Sequence, residues 1–230
     1  MSKLYDGAIR VLRWMFDRRV RGTHRLDTAA QFPGGAKFVS RWPEIRAEAL
    51  ALVRHMPAIP RLHEVMREQA DISAADQRDW RVFVLKAYGT SIARNLTRCP
   101  ALGSLLHDSP EVLSATLSFL APHKHVPRHS GPFRGIMRFH LGLVMPRGRD
   151  GAPGAVLEIE DKQYRLGEGD SLLWDDTFPH EVWNPTDEVR VALLLDVWRP
   201  GMPADMRLLS HLIVLGVGLL VRLRGLPAAE

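Results

Sequence analysis

A second cysteine is missing from this sequence. Cys99 stands alone among 230 residues, so no intrachain disulfide can form and no zinc-type cysteine cluster exists. Also missing is an apolar run long enough to cross a bilayer. The most apolar stretch, 211–221 (HLIVLGVGLLV), is about half of the ~20 residues that a spanning helix needs. The opening residues 1–20 are amphipathic and charged, without a continuous apolar region, so no secretory leader is expected. No nucleic-acid motif, internal repeat or low-complexity segment is found, and nucleic acid is not expected as a partner. These absences point to a reducing, cytoplasmic setting.

What is present is ordinary globular material. The chain is 46% hydrophobic and 25% charged, enough for a core that needs no staple. The net charge of +5 favours anionic partners. The basic residues cluster near the start (Arg10, Arg13, Arg18, Arg19, Arg21, Arg25) and recur at Arg222 and Arg224. The apolar run 211–221 reads first as a buried C-terminal helix. The alternative is a helix lying in a membrane surface, with Arg222 and Arg224 on lipid headgroups, which would make the protein a peripheral membrane protein.

Periodicity divides the chain. Leu4, Ala8, Val11, Leu12 and Met15 recur at helical spacing and predict a helix over 3–20. Pro43 suits the first turn of a second helix over 42–55, whose stripe is Ile45, Ala49, Leu52 and Val53. Further helices are expected near 61–70 and 101–107, with a strand at Trp80–Tyr88 between them. From about residue 112 the period becomes two. Short apolar strands alternate with turns such as Gly167-Glu168-Gly169-Asp170 and Asn184-Pro185-Thr186-Asp187. The expected fold is mainly β, an antiparallel sandwich or jelly roll. N-terminal helices (1–75), a β-rich body (76–200) and a C-terminal helical tail (201–230) would form one structural unit.

Two stretches carry the chemistry: His129-Ser130-Gly131-Pro132 followed by Arg138-Phe139-His140, and Asp175-Asp176-Thr177-Phe178-Pro179-His180-Glu181-Val182-Trp183 followed by Arg190. In a strand over 136–144, Met137, Phe139, Leu141 and Leu143 share the core face. Ile136, Arg138, His140 and Gly142 share the other, whose polar residues suit a cavity wall. A hairpin centred on Asn184–Asp187 would set His180 diagonally across from Arg190. A metal on His180 and a guanidinium at Arg190 could then be bridged by a short dicarboxylate. His129 is the natural second ligand; imidazoles suit iron, zinc or copper. Asp175 and Asp176 read as turn residues or residues behind the site, not ligands. His123 and His125 read as a solvated loop, Asp196 as a structural carboxylate. Trp174 and Trp183 read as core or pocket wall. Arg128 and Arg134 could meet an acidic substrate or plain solvent.

These motifs, with Arg-Val-Ala-Leu-Leu-Leu-Asp-Val-Trp-Arg-Pro over 190–200, resemble the aspartyl/asparaginyl β-hydroxylase family of iron(II)- and 2-oxoglutarate-dependent dioxygenases. The likeness spans roughly 78–200 and suggests a compact bacterial-type member. It implies a double-stranded β-helix with iron(II) on His129 and His180. It also implies 2-oxoglutarate contacts from Trp80, Ser118, Arg138, His140 and Arg190, with Arg138 and His140 orienting the near carboxylate or the substrate. Dioxygen would be the second co-substrate. The carboxylate ligand common in the wider class is replaced by Gly131, as in the family itself, which leaves the place to water or chloride. Hydroxylation of an unactivated carbon is therefore expected, either the β-carbon of an Asp/Asn-type residue or a lipid acyl carbon. The alternatives are a halogenase on the same site and a non-catalytic jelly-roll module that binds a metal or ligand.

Overall fold

A computed structural model describes residues 3–225. The side chains of Leu4 and Arg224, both named from the sequence, lie outside the described residues. The helices are α1 Lys3–Arg19, α2 Thr28–Gln31, α3 Gly35–Ser40, α4 Trp42–Val53, α5 Leu62–Val65, α6 Ala70–Ser73, α7 Ala93–Arg98, α8 Pro100–His107 and α9 Ala204–Arg224. The strands are β1 Arg25–Leu26, β2 Trp80–Ala87, β3 Thr90–Ser91, β4 Val112–Leu120, β5 His125–His129 and β6 Ile136–Val144. They continue as β7 Val156–Ile159, β8 Lys162–Tyr164, β9 Ser171–Trp174, β10 His180–Trp183 and β11 Arg190–Trp198. Two antiparallel sheets result, in the orders β1-β9-β6-β11-β4-β2-β3 and β5-β10-β7-β8. The fold is a jelly roll with helices before and after it.

Alternation along the long strands decides what each face does. Phe83, Leu117, Phe119, Met137, Phe139, Leu141, Leu193 and Leu195 form one cluster with Phe38, Ile45, Leu52, Leu102 and Leu106 from α3, α4 and α8. The N-terminal helices thus cover one face of the large sheet, and each such burial is worth about 1.5–3 kcal/mol. The opposite face carries the polar residues. Arg138 is the register partner of Asp196, and Gly142, Ala192 and Ser118 fall in one row across β6, β11 and β4. The two-faced reading of 136–144 holds.

Four expectations need correction. The 61–70 helix is broken into α5, a 3-10 turn at Arg67–Gln69 and α6. Tertiary hydrogen bonds outweigh local propensity there: His63 Nδ1 bonds Ser73 Oγ at 3.1 Å, and Lys124 Nζ donates to the Ser73 carbonyl at 2.7 Å. His123 is exposed in a turn, as a solvated loop requires, but the segment leaves solvent beyond it: Lys124 is buried on Asp76 and His125 opens β5. Residues 184–187 do not turn a hairpin. They cross from the small sheet to the large one, so β10 pairs with β5 and β7 while β11 pairs with β4 and β6. Asn184 pins this crossing by donating Nδ2 to Ala121 O at 3.0 Å and Glu188 O at 2.8 Å.

The fourth correction concerns the C-terminal helix. It forms, but it is not buried: Leu208, Leu212, Leu215, Leu219, Leu220 and Leu223 are each at least 50% exposed. It also reaches back to Ala204, well beyond the 211–221 run. Within its Ala204–Leu223 stretch the mean hydropathy reaches 1.8 over 18 residues, which by length and composition alone is enough to cross a membrane.

Candidate metal centre and anion pocket

The last residue of β5 and the first of β10, His129 and His180, are partners in the ladder. Their ring centroids are 4.1 Å apart. Each Nδ1 lies against a carbonyl two residues earlier, Pro127 O at 2.8 Å and Phe178 O at 2.9 Å. A carbonyl only accepts, so each Nδ1 carries the proton and each Nε2 keeps a bare lone pair. Burial lowers the pKa of His129 and holds that of His180 well below the usual histidine range. Both rings are therefore neutral at pH 7. Neutral imidazoles held from behind by backbone carbonyls have the chemistry of metal ligands. The edge of Trp174 closes one side, its ring centroid 4.6 Å from that of His180.

Beside them, Gly131 donates its N–H to the Asp176 carbonyl at 2.7 Å. A Cβ at Gly131 would lie 2.2 Å from Asp176 Oδ1. The space left by the missing side chain is thus filled by a carboxylate from the β9–β10 loop. Burial raises the Asp176 pKa to about 6, and Arg138, 3.3 Å away, opposes the rise. Among the described residues, Oδ1 of Asp176 is buried without a hydrogen-bond partner. Asp175 has a different task. It accepts from Thr177 N and Oγ1 (3.1 and 2.6 Å) and pairs with Arg199 at 2.6 Å and Arg134 at 3.0 Å. Arg134 is thus occupied and also lies over the Phe178 ring at 4.7 Å.

The residues expected to meet 2-oxoglutarate fall on four adjacent strands, β6, β11, β4 and β2. Trp80 donates Nε1 to Ser118 Oγ at 3.0 Å, which leaves the serine hydroxyl proton free to donate. Arg190 is 3% exposed, and a guanidinium nitrogen of it contacts His140 Nε2. Because the guanidinium must donate, His140 accepts at Nε2 and carries its proton on Nδ1. That Nδ1 and the Arg190 Nε are both buried without partners among the described residues. Burial pushes the Arg190 pKa down to about 10, and no carboxylate pairs with it among the described residues. Burial, and then the Arg190 charge, hold His140 neutral. Three donors with no acceptor in place suit a carboxylate.

The expected site residues therefore gather in pairs: His129 with His180, Trp80 with Ser118, and His140 with Arg190. Arg138 stands apart. Its Nε and Nη2 donate to Asp196 Oδ1 at 3.0 and 2.9 Å, and Asp176 is its second partner. Two features were not read from the sequence. Asp176 fills the space at Gly131. Arg13, assigned only to a basic cluster, donates from α1 to the carbonyls of Ser130 and Gly131 at 2.8 and 2.6 Å. The glycine at the ligand position was the available signal for the first. Nothing local signals the second, because 117 residues separate Arg13 from Ser130.

The fold and the paired imidazoles define a double-stranded β-helix with a candidate metal centre. A family model described as aspartyl/asparaginyl beta-hydroxylase matches residues 39–200, and the chain belongs to that family. It is 33% identical to the ornithine lipid ester-linked acyl 2-hydroxylase of Rhizobium tropici, over 76% of this chain and 60% of the relative. It is 29% identical to the human aspartyl/asparaginyl beta-hydroxylase, over 72% of this chain and 21% of that protein. The chain thus spans less than two thirds of the length of these curated relatives. Likeness to solved structures is slight. A cupin 2 conserved barrel domain protein from Salinispora arenicola gives a TM-score of 0.33 at 16% identity, over 58% of this chain and 84% of that one. The fold assignment rests on the strands themselves.

Proposed function

We propose that this chain is an iron(II)- and 2-oxoglutarate-dependent hydroxylase acting on a carbon of a lipid acyl chain. One observation carries the reading: two neutral imidazoles face each other across a ladder with both Nε2 atoms bare. The site would hold iron(II) on those two atoms. Once bound, the metal supplies the oxidative chemistry: substrate R–H, dioxygen and 2-oxoglutarate give R–OH, succinate and carbon dioxide.

The chain's own residues do the rest. Arg190 Nε–H, His140 Nδ1–H and the Ser118 hydroxyl would receive the far carboxylate of the oxoacid. Trp80 holds that hydroxyl in orientation. Arg138 keeps Asp176 in place, and Asp176 Oδ1 remains an acceptor beside Gly131. A carboxylate in that space repels chloride, which favours hydroxylation over halogenation. The apolar wall of Trp174 and Leu172 keeps bulk water out. The Rhizobium relative, named as an acyl hydroxylase and matched over 76% of this chain, supports the lipid substrate over a peptidyl Asp or Asn.

The test is succinate release from 2-oxoglutarate by the full chain with iron(II) and a hydroxylatable lipid, read together with product mass. A gain of one oxygen supports the reading. Chlorination would replace it with the halogenase. Metal binding without succinate would replace it with the non-catalytic module.

A further inference from the structure

Among the described residues, nine large hydrophobic side chains stand exposed, and their distribution is uneven. Six are leucines of α9, and two more, Val11 and Trp14, belong to α1. The α9 leucines at 208, 212, 215, 219 and 223 recur every three or four residues, so they form one stripe. The opposite side of the helix is taken. Met206, Ser210 and Val214 are buried. A Cβ at Gly218 would meet the Tyr88 carbonyl oxygen at 2.7 Å. Arg222 Nε donates to Thr90 Oγ1 at 3.1 Å. These five positions fall every fourth residue, so α9 is held to the body along about 24 Å of its axis. A helix held in this way cannot be ringed by lipid, whatever its hydropathy.

Charge points the same way. α9 carries three arginines against one aspartate, and that aspartate, Asp205, pairs with Arg19 of α1 at 3.0 Å. α1 itself carries four arginines and a lysine against two aspartates. An exposed apolar stripe on helices of net positive charge matches an anionic bilayer, with acyl chains for the leucines and lipid phosphates for the excess cations. A second copy of this chain would match the stripe but would repel the charge.

We infer that α9 is an interfacial docking helix that lies leucine side down on an anionic bilayer. The docking layer reaches the segment that follows the Gly131 turn: Phe16 of α1 and Met206 and Val214 of α9 share a cluster with Phe133 in that segment and with Ile136 at the start of β6. The inference is independent of the chemistry proposed above, since vesicle binding needs neither iron nor 2-oxoglutarate.

The test is flotation of the full chain with phosphatidylcholine vesicles, with and without phosphatidylglycerol. The chain is expected to float with the anionic vesicles and to be released by a carbonate wash. The double variant Leu215→Glu/Leu219→Glu changes only exposed side chains and is expected to lose about tenfold in partitioning, with an unchanged melting temperature. If that variant misfolds, Leu212→Ser/Leu219→Ser serves in its place. Three results would overturn the inference: a parent chain that stays with the soluble fraction, equal flotation of parent and variant, or resistance to carbonate. A parent dimer that the leucine variants dissociate, without vesicle binding, would assign the stripe to a second copy instead. Failed flotation with intact succinate release would remove the docking surface and leave the proposed reaction standing.

Discussion

The two faces of β6 obey different rules. On one, Met137, Phe139, Leu141 and Leu143 are wholly excluded from water and pack on the N-terminal helices. On the other, Arg138 is paired with Asp196 and Asp176, and His140 contacts the buried Arg190. The first face is satisfied by the chain alone; the second is not. Arg190 and His140 keep unused donors, and Asp176 keeps an unused acceptor. Buried polar groups of that kind are costly, so their presence marks where stability was not the only requirement.

Mutations should separate the two faces. The largest effect is expected at the histidines: His129→Ala or His180→Ala should cut 2-oxoglutarate-coupled succinate release by more than about a hundredfold. Secondary structure by circular dichroism should be unchanged. On the apolar face, Phe139→Ala should cost about 3–5 kcal/mol in urea denaturation, while the oxoacid concentration required by the folded fraction stays the same. Arg190→Met should do the opposite, raising the 2-oxoglutarate KM about tenfold to a hundredfold. Its melting temperature should hold or rise, because a buried guanidinium with no carboxylate partner among the described residues is removed. A marked loss of stability in Arg190→Met would break the contrast between the faces. Gly131→Ala forces Asp176 to move and should lower the melting temperature by the equivalent of about 1–3 kcal/mol, with a loss of turnover. The smallest effect concerns Cys99, which lies in the apolar cluster with its thiol pushed up to about 12 by burial. A disulfide reagent at pH 8 should leave it unmodified until urea unfolds the chain; rapid labelling would show that the apolar face opens.

What could be read from the sequence follows the range of the forces involved. Alternation along β6 is local, because a side chain's face depends only on its position in the strand, and it was legible. His129 and His180 were singled out by the motifs around them, and the ladder sets the two side by side. The pairing of His180 with Arg190 across a hairpin was not legible. It assumed that consecutive strands lie side by side, whereas Asn184 carries the chain from one sheet to the other. The partner of His180 is His129, from a strand that its Pro127 and charged residues disguised. The burial of Lys124 between His123 and His125 was not legible for a related reason, since its partner Asp76 lies 48 residues away. The C-terminal helix was recognised, but which side of it met the body depended on Tyr88 and Thr90, far from it in the chain.

The guanidinium of Arg13 lies outside residues 39–200, the stretch that the family match covers. A fragment trimmed to that match would keep both imidazoles and every oxoacid donor named above. It would nevertheless lose the two hydrogen bonds that brace the turn after His129. The smallest piece that keeps this turn braced is therefore larger than the region that kinship outlines.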